Sequence, residues 1–362
     1  MVSALAAQGH EVELLTYSQG EDVAIPGVRH RRSLALPVGR VRAGPSLAKL
    51  ALDVPFIAGA WWRMAVGRFD VVHAVEEAAH FAAPVARLLG LPLVVDVDSS
   101  IPDQLRESGF ATRGPLLWAA EALENHALRH SVAVVTVCAS LTNGVRRRAP
   151  RAQVFQVEDP PLLGPAASAA DVATLKASLG LDARPVVLYS GNFERYQGVE
   201  LLVDAAALVP DSQFVFMGGE PEQIARMRTR PTVISRGGNC VFAGKRPTAE
   251  LPAFLGTATM VVSPRLSGAN TPFKVYTYLA SGRPLVATRI LTHTQLVDDS
   301  LSWLVEPTPE GLAGGVRAVL ADPDEARRRA ARGLDLIARE YSEARHAEKV
   351  AAAYAAIANA IR

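Results

Sequence analysis

Two series of short apolar runs, each run followed by a stretch with helical spacing, succeed one another along this chain. In the first series, strands are predicted near Val12–Thr16, Val71–His73, Leu93–Asp96, Val132–Val137 and Val154–Val157, with helical spacing over Glu77–Leu89 and Pro115–Arg129. Apolar runs of about four to eight residues that alternate with helices specify parallel sheet covered on both faces. Glu158-Asp159-Pro160-Pro161 interrupts the series, because two successive prolines cannot continue a ladder. Beyond the Ala/Ser-rich stretch that ends at Leu179 the pattern restarts, with strands predicted near Val186–Tyr189, Phe214–Met217, Thr259–Ser263 and Leu285–Thr288. Val199, Leu202, Val203 and Ala206 form one helical stripe between the first two. The expected architecture is therefore α/β, with two doubly wound domains at 1–162 and 163–340 and a helical tail at 341–362 packing back on the first. Ligands of such sheets bind outside the carboxyl ends of the strands, so the expected site is a cleft faced by both domains.

At 362 residues the chain exceeds one ordinary core and suits two. A composition of 49% hydrophobic and 20% charged residues excludes a disordered chain. A formal net charge of +2 gives no reason to expect nucleic acid as a partner. Cys138 and Cys240 are too few for a disulfide framework, which points to a reducing, cytoplasmic setting. Met1 to Gln8 is apolar but no basic residue precedes it, and it runs into Gly9-His10 and a predicted strand. It therefore reads as a helix end and not as a signal peptide. No His/Cys grouping has metal-ligand spacing, and no metal is expected.

The stretch from Ser263 to Gln295 carries the most chemistry. It contains Ser263-Pro264-Arg265, then Asn270-Thr271-Pro272-Phe273-Lys274-Val275-Tyr276-Thr277-Tyr278-Leu279, then Ser281-Gly282-Arg283-Pro284. A strand ends at Ser263, a polar loop follows, and a helix opens near Pro272, a favoured first helical residue, with Thr271 as its cap. Gly282 closes the helix and Pro284 forbids its continuation. The exposed N–H groups and dipole of a helix start favour phosphate, and Arg265 and Lys274 would add full charges to such a site. The plainer alternative is two solvated surface cations. A second stretch, Tyr189-Ser190-Gly191-Asn192-Phe193 followed by Tyr196-Gln197-Gly198-Val199-Glu200, is again strand, glycine-bearing turn and helix. Gly191 would let backbone approach a ligand closely and Gly198 sits near the helix start, although an ordinary βα turn has the same look.

These two stretches resemble glycosyltransferase family four, the large retaining GT-B family. The second segment of that family's pattern is matched by Thr277-Tyr278-Leu279-Ala280-Ser281-Gly282-Arg283-Pro284-Leu285-Val286-Ala287-Thr288. Ala6-Ala7-Gln8-Gly9-His10-Glu11-Val12, Phe69-Asp70-Val71-Val72-His73-Ala74 and Val135-Thr136-Val137-Cys138-Ala139-Ser140 extend the resemblance over nearly the whole chain. It implies two Rossmann-like domains facing across a cleft, with a UDP- or GDP-linked sugar held by the C-terminal half. The acceptor, a glycan, a lipid-linked sugar or a small molecule, would lie against the N-terminal half. Transfer would retain configuration without a bound metal, the nucleotide sugar being substrate and not cofactor. Arg265 and Lys274 would neutralise the leaving diphosphate, and backbone near Gly244-Lys245-Arg246 would hold the nucleobase. The family's usual Arg and Lys of the first turn correspond to the neutral Asn192 and Gln197, and its Glu for the donor ribose corresponds to Thr277. A hydroxyl makes that bond without charge assistance, about 1 kcal/mol weaker. The Ser267–Asn270 loop lacks the family's earlier Glu. A branch carrying a Tyr-Gln-Gly turn and a T-P-x-K-x-Y helix accounts for these departures together.

Other residues carry an expectation of their own. The family's V-x-H-D histidine corresponds to Asp98, a candidate proton acceptor from the acceptor hydroxyl or else, with Ser99, a helix cap. His73 ends a predicted strand at the cleft edge, as a catalytic candidate or a packed histidine. His293 follows the Leu285–Thr288 strand and could touch donor sugar or phosphate, or bond within its turn. Glu158-Asp159 falls at the hinge and reads mainly as linker. Arg29, Arg31, Arg32, Arg40, Arg42 and Lys49 precede an apolar stretch with Trp61-Trp62-Arg63, which suits peripheral docking on a membrane or, equally, a solvated loop before a core helix. The family's usual first strand and glycine-rich loop are missing ahead of the first helix, so two neighbouring strands are expected to lack a shared partner. Two alternatives to transfer are a nucleotide-sugar epimerase of the same fold, which needs more cleft carboxylates than are visible, and a nucleotide-sugar-binding protein with weak or no catalysis.

Overall fold

A computed structural model of the chain describes residues 1–20, 22–39, 47–107, 112–236 and 238–361. The chain divides into two compact units, one of Met1–Glu158 with Ala344–Arg362 and the other of Asp159–Glu343.

The first unit has six strands: β1 (Val12–Thr16), β2 (Val28–Arg32), β3 (Val72–Val75), β4 (Leu93–Val97), β5 (Ala133–Thr136) and β6 (Gln153–Gln156). All pairings are parallel, but the strands form two sheets, β1–β2 and β3–β4–β5–β6. No ladder joins β1 to β3 among the described residues. Every residue of β4 and β5 is buried, as parallel strands between helices must be, whereas none of β1 is fully buried. The helix Glu343–Ile361 closes this unit. Its Val350 and Ile357 pack with Leu5, Val94, Ala133, Val135 and Val157 in one core.

Three details differ from expectation. Strand β2 hides in Val28-Arg29-His30-Arg31-Arg32, where its charges mask the alternation of a strand. Arg29, Arg31 and Arg32 pair with Glu11, Glu13 and Asp22, and Lys49 pairs with Glu77, so these four cations are ion-paired. Arg40 and Arg42 lie outside the described residues. Among the described residues no helix is long and apolar enough to cross a membrane. Finally, Glu158 is no bare linker. It is buried, takes an ion pair from Lys349 at 2.6 Å, and its carbonyl accepts from His346 Nδ1 at 2.9 Å.

The second unit holds β7 (Val186–Ser190), β8 (Gln213–Met217), β9 (Cys240–Gly244), β10 (Met260–Ser263), β11 (Leu285–Thr288) and β12 (Trp303–Val305) in one parallel sheet of order β12-β11-β10-β7-β8-β9. Side chains alternate across it. Val187 and Tyr189 face a core with Leu202, Phe214, Phe216 and Val316, while Val186 and Leu188 face another with Val215, Val261, Val275 and Leu285. The chain winds outward from β7 to β9, then outward on the other side from β10 to β12. Connections therefore leave the adjacent strands β7 and β10 in opposite directions, which opens a crevice at their carboxyl ends.

Asn239 shows how tightly the outer side of this sheet is pinned. Its buried amide lies within hydrogen-bond distance of the carbonyls of Ala206, Val209 and Ser212, at 2.8, 3.2 and 3.2 Å. Replacing Asn239 by Ala leaves these acceptors without their donor, at a cost of about 2 kcal/mol. The thermal midpoint is expected to fall by about 4–8 °C, which a melting curve followed by circular dichroism checks.

Candidate functional site

The loops after β7 and β10 bring together many of the residues singled out from the sequence. Gly191 follows β7 at φ +144°, and its N–H donates to the Met217 carbonyl at 3.0 Å. A Cβ there would lie 2.7 Å from Lys274 Nζ, so only glycine lets the ammonium come up against the turn. After β10, the Leu266 N–H donates to the Tyr196 carbonyl at 2.8 Å. A Cβ at Gly198, where φ is +69°, would fall 1.9 Å from the Pro264 carbonyl oxygen. Backbone contact thus fixes the two loops to each other before any side chain is considered.

Lys274 is the second residue of the helix Phe273–Ala280. Its Nζ donates to Gln197 Oε1 at 2.9 Å and to Tyr189 Oη at 3.0 Å, and lies 4.1 Å from the centre of the Tyr189 ring. Both acceptors are neutral. Among the described residues the one charge acting on it is that of Arg265, which has the same sign. Burial, and then Arg265, push the ammonium down from 10.5 to about 7. The residue nevertheless keeps some exposure to solvent, as a group at the floor of a crevice does.

Arg265 is held by the loop that follows it. Nε donates to the Ser267 carbonyl at 2.7 Å, Nη2 donates to Asn270 Oδ1 at 2.9 Å, and the guanidinium lies 5.1 Å from the Tyr196 ring centre. Asn270 therefore acts on the cation. Behind the loop sits His293, wholly buried, with Nδ1 donating to the Thr288 carbonyl at 2.7 Å and Nε2 accepting from Ser263 Oγ at 2.8 Å. Burial pushes this imidazole down to about 4, with Arg265 and Lys274 adding to the shift and the Thr288 carbonyl opposing it. The Thr288 hydroxyl donates to the Arg265 carbonyl. Of the two alternatives for His293, these contacts match hydrogen bonding within its turn and not exposure to a donor. His293 ties β10 to β11 from inside and fixes the backbone that presents Arg265.

Several expectations need correcting. The cap of the Lys274 helix is Pro272, with no side-chain capping bond, so Thr271 precedes the cap and is buried. Tyr276 belongs to the core, its ring 5.1 Å from that of Tyr341. Two helical positions on from Lys274 it points about 200° away. Thr277, three positions on, is nearer the Lys274 face and is buried. Asn192 is exposed, and its Oδ1 accepts from the Glu194 N–H at 3.2 Å, which shapes the turn. At the end of β9, the Gly244 carbonyl accepts from Gly218 N–H at 2.7 Å, while the exposed Lys245 pairs with Glu220 at 2.5 Å.

In the other unit, His73 is not at a strand end. β3 runs on to Val75, and the ring sits mid-strand, with Nε2 3.0 Å from Asp96 Oδ2 and Nδ1 2.5 Å from Tyr354 Oη. One nitrogen is engaged by β4 and the other by the last helix, contacts that suit the packed-histidine alternative. Asp98 lies just past β4 and is half-buried. Glu76, not singled out from the sequence, takes φ +49° at the end of β3, and burial raises its carboxyl above the usual range. Among the described residues no group of three or more His, Cys, Asp and Glu is gathered for a metal ion.

The tyrosines around Lys274 were also missed. Tyr278, one helical turn on, accepts the Ser190 N–H at 2.6 Å and ties the helix to β7. Its signal was a tyrosine at i+4 from a lysine, and that of Tyr189 a lone phenol in an aliphatic strand.

Residues 184–322 match the family model described as glycosyl transferases group 1, and residues 1–159 match that of a glycosyl transferase 4-like domain. The chain is 30% identical over 297 residues to alpha-D-kanosaminyltransferase of Streptomyces kanamyceticus, over 76% of this chain and 74% of that protein. Among solved structures it resembles a sucrose-phosphate synthase from Thermosynechococcus elongatus, with a TM-score of 0.81, 21% identity, and coverage of 99% of this chain and 92% of that one. It also resembles Anabaena HepE in complex with UDP and glucose, with a TM-score of 0.77, 16% identity, and coverage of 98% and 94%. These two structural likenesses bear on the fold, which is that of the GT-B glycosyltransferases.

The Lys274 environment makes a prediction for the unliganded chain. Between about pH 7 and 10.5 the unfolded chain keeps a proton on Lys274 that the folded chain lacks, so folding stability rises with pH across this window. Lys274→Met removes that rise. Its thermal midpoint relative to the parent is expected to be highest at pH 6 and to decline steadily to pH 9, as a melting series at constant ionic strength will show.

Proposed function

Because the chain belongs to the group 1 glycosyltransferases, we propose that it carries a sugar from a UDP- or GDP-linked donor to a hydroxyl of a glycan, lipid-linked or small-molecule acceptor, with retention at the anomeric carbon. The observation that carries the donor part is the pair Lys274 and Arg265 at the β7/β10 crevice, where, among the described residues, Lys274 has neutral partners and a neighbour of like charge. Such a site has the wrong charge balance until an anion of about two negative charges enters it.

In the transfer, the bond from the anomeric carbon to the diphosphate oxygen breaks and its electron pair stays with the diphosphate. A bond forms from the acceptor oxygen to the anomeric carbon on the same face, and the acceptor hydroxyl gives up its proton. Arg265, Lys274 and the N–H groups at the start of the Phe273–Ala280 helix meet the charge that develops on the leaving group. Gly191 leaves room for the Lys274 ammonium, Gln197 and Asn270 aim the two cations, and the Thr277 hydroxyl serves the ribose. Backbone at Gly244 and Lys245 serves the base, and Asp98 remains the candidate for accepting the proton of the acceptor hydroxyl. Kanosaminyltransferase by its name moves a sugar, which supports a sugar donor here, and HepE has been solved with UDP and glucose, which makes UDP the first ligand to test. A membrane surface as partner has less to rest on, since much of the basic stretch is ion-paired.

Calorimetric titration with UDP, GDP and their sugars tests the reading. The parent is expected to bind one nucleotide series. Arg265→Ala is expected to weaken it by about tenfold to a hundredfold, the loss of one charge-assisted hydrogen bond or two. A folded parent that binds no member of either series would remove the basis for the reading. NMR of the product formed with a bound donor gives its anomeric configuration, and inversion would end the claim of retention.

A further inference from the structure

The phosphate site proposed above contains a lysine whose partners, among the described residues, are two neutral acceptors and one cation. The donors to Lys274's neighbours and the groups around it are accounted for as follows. From β7 comes Tyr189, whose phenol burial raises well above the ordinary range. From its own helix comes Tyr278, pushed up to about 12 by burial. From the turn after β11 comes His293, pushed down to about 4 by burial and neutral at pH 7 and above. From the loop after β10 comes Arg265, permanently charged. Gln197, from the turn after β7, is neutral and holds Nζ at 2.9 Å. None of these changes protonation between pH 6 and 9, and none is a carboxylate.

Resting on the reading of this crevice as a pyrophosphate site, we propose that binding of a nucleoside diphosphate is coupled to uptake of one proton by Lys274. The empty crevice sheds that proton because Nζ has two neutral acceptors and a like-charged neighbour, so nothing repays the cost of keeping it charged there. A diphosphate supplies the missing counter-charge and restores the ammonium. The proton comes from solvent, and no bond other than N–H is made. Gln197 acts as the positioning residue, since its amide oxygen accepts from the lysine whether Nζ is ammonium or amine. The full double charge of the site is then present only with the anion, and the affinity must fall with pH above the lysine's depressed pKa.

Calorimetry at pH 8 tests this with UDP, or with GDP if that is the series bound, in Tris and in HEPES. These buffers differ in ionisation enthalpy, so the difference in heat counts the protons exchanged. At this pH the nucleotide's own terminal phosphate is ionised and contributes little. With the lysine near 7, the parent is expected to take up about 0.9 proton per nucleotide bound. Its dissociation constant should rise by up to about tenfold per pH unit above pH 7. Lys274→Arg, whose guanidinium stays charged, should bind with no uptake and with a flat pH profile. Nucleotide binding by the parent without uptake, or equal uptake by parent and Lys274→Arg, overturns the coupling while leaving the pyrophosphate reading intact. Absence of any nucleotide binding by the folded parent overturns both.

Discussion

A lysine that, among the described residues, meets neutral acceptors and a like charge but no acid is the constraint around which the second unit's crevice is arranged. Lys274 is drawn to the crevice by helix geometry and by Tyr189 and Gln197, not by an ion pair. Holding an ammonium there is costly, and the surrounding architecture is what makes it possible. Backbone locks the two loops together, glycine opens the space above Nζ, and Tyr278 fastens the helix to β7. His293 keeps Arg265's strand end in register from a position that solvent cannot reach. The contacts that place the two cations and those that hold the sheet rigid are therefore the same set.

The location of this crevice follows from strand order. Winding away from a central strand in both directions leaves one pair of neighbours, β7 and β10, whose connections depart toward opposite edges of the sheet. The first carries Gly191 and Gln197, the second Arg265 and, a little further on, Lys274. In the neighbouring positions of the turn, Asn192 and Gln197 stand where the family carries cations. The contact of Gln197 with Nζ suggests a physical reason: the positive charge reaches the same spot from the opposite wall, and the turn supplies an acceptor to receive it.

Much of the fold was legible because buried parallel strands are nearly continuous apolar runs. Leu93–Val97, Ala133–Thr136, Val186–Ser190 and Leu285–Thr288 announce themselves in that way. Strand β2 did not, because Arg29, His30, Arg31 and Arg32 gave it the look of a polar loop, and the acids that pair with three of them lie at Glu11, Glu13 and Asp22. The three-residue β12 was too short to stand out. At the site, Arg265 and Lys274 were visible as cations beside a helix start. Their neighbours were not, since whether a tyrosine or histidine faces a core or a crevice depends on partners elsewhere in sequence. His293 and His73 illustrate the point: both looked like reactive side chains, and both spend their nitrogens on internal hydrogen bonds.

The course of the chain carries a further implication. The first unit takes its closing helix, Glu343–Ile361, from the far end of the sequence, and Val350 and Ile357 sit in the same core as Leu5 and Val94. During synthesis, the opening 158 residues emerge long before the segment that covers their apolar face. The intervening unit, Asp159–Glu343, is continuous and can complete its own core first. Order of emergence and order of completion are thus reversed: the earlier segment waits, partly uncovered, for a helix that follows the whole of the other unit.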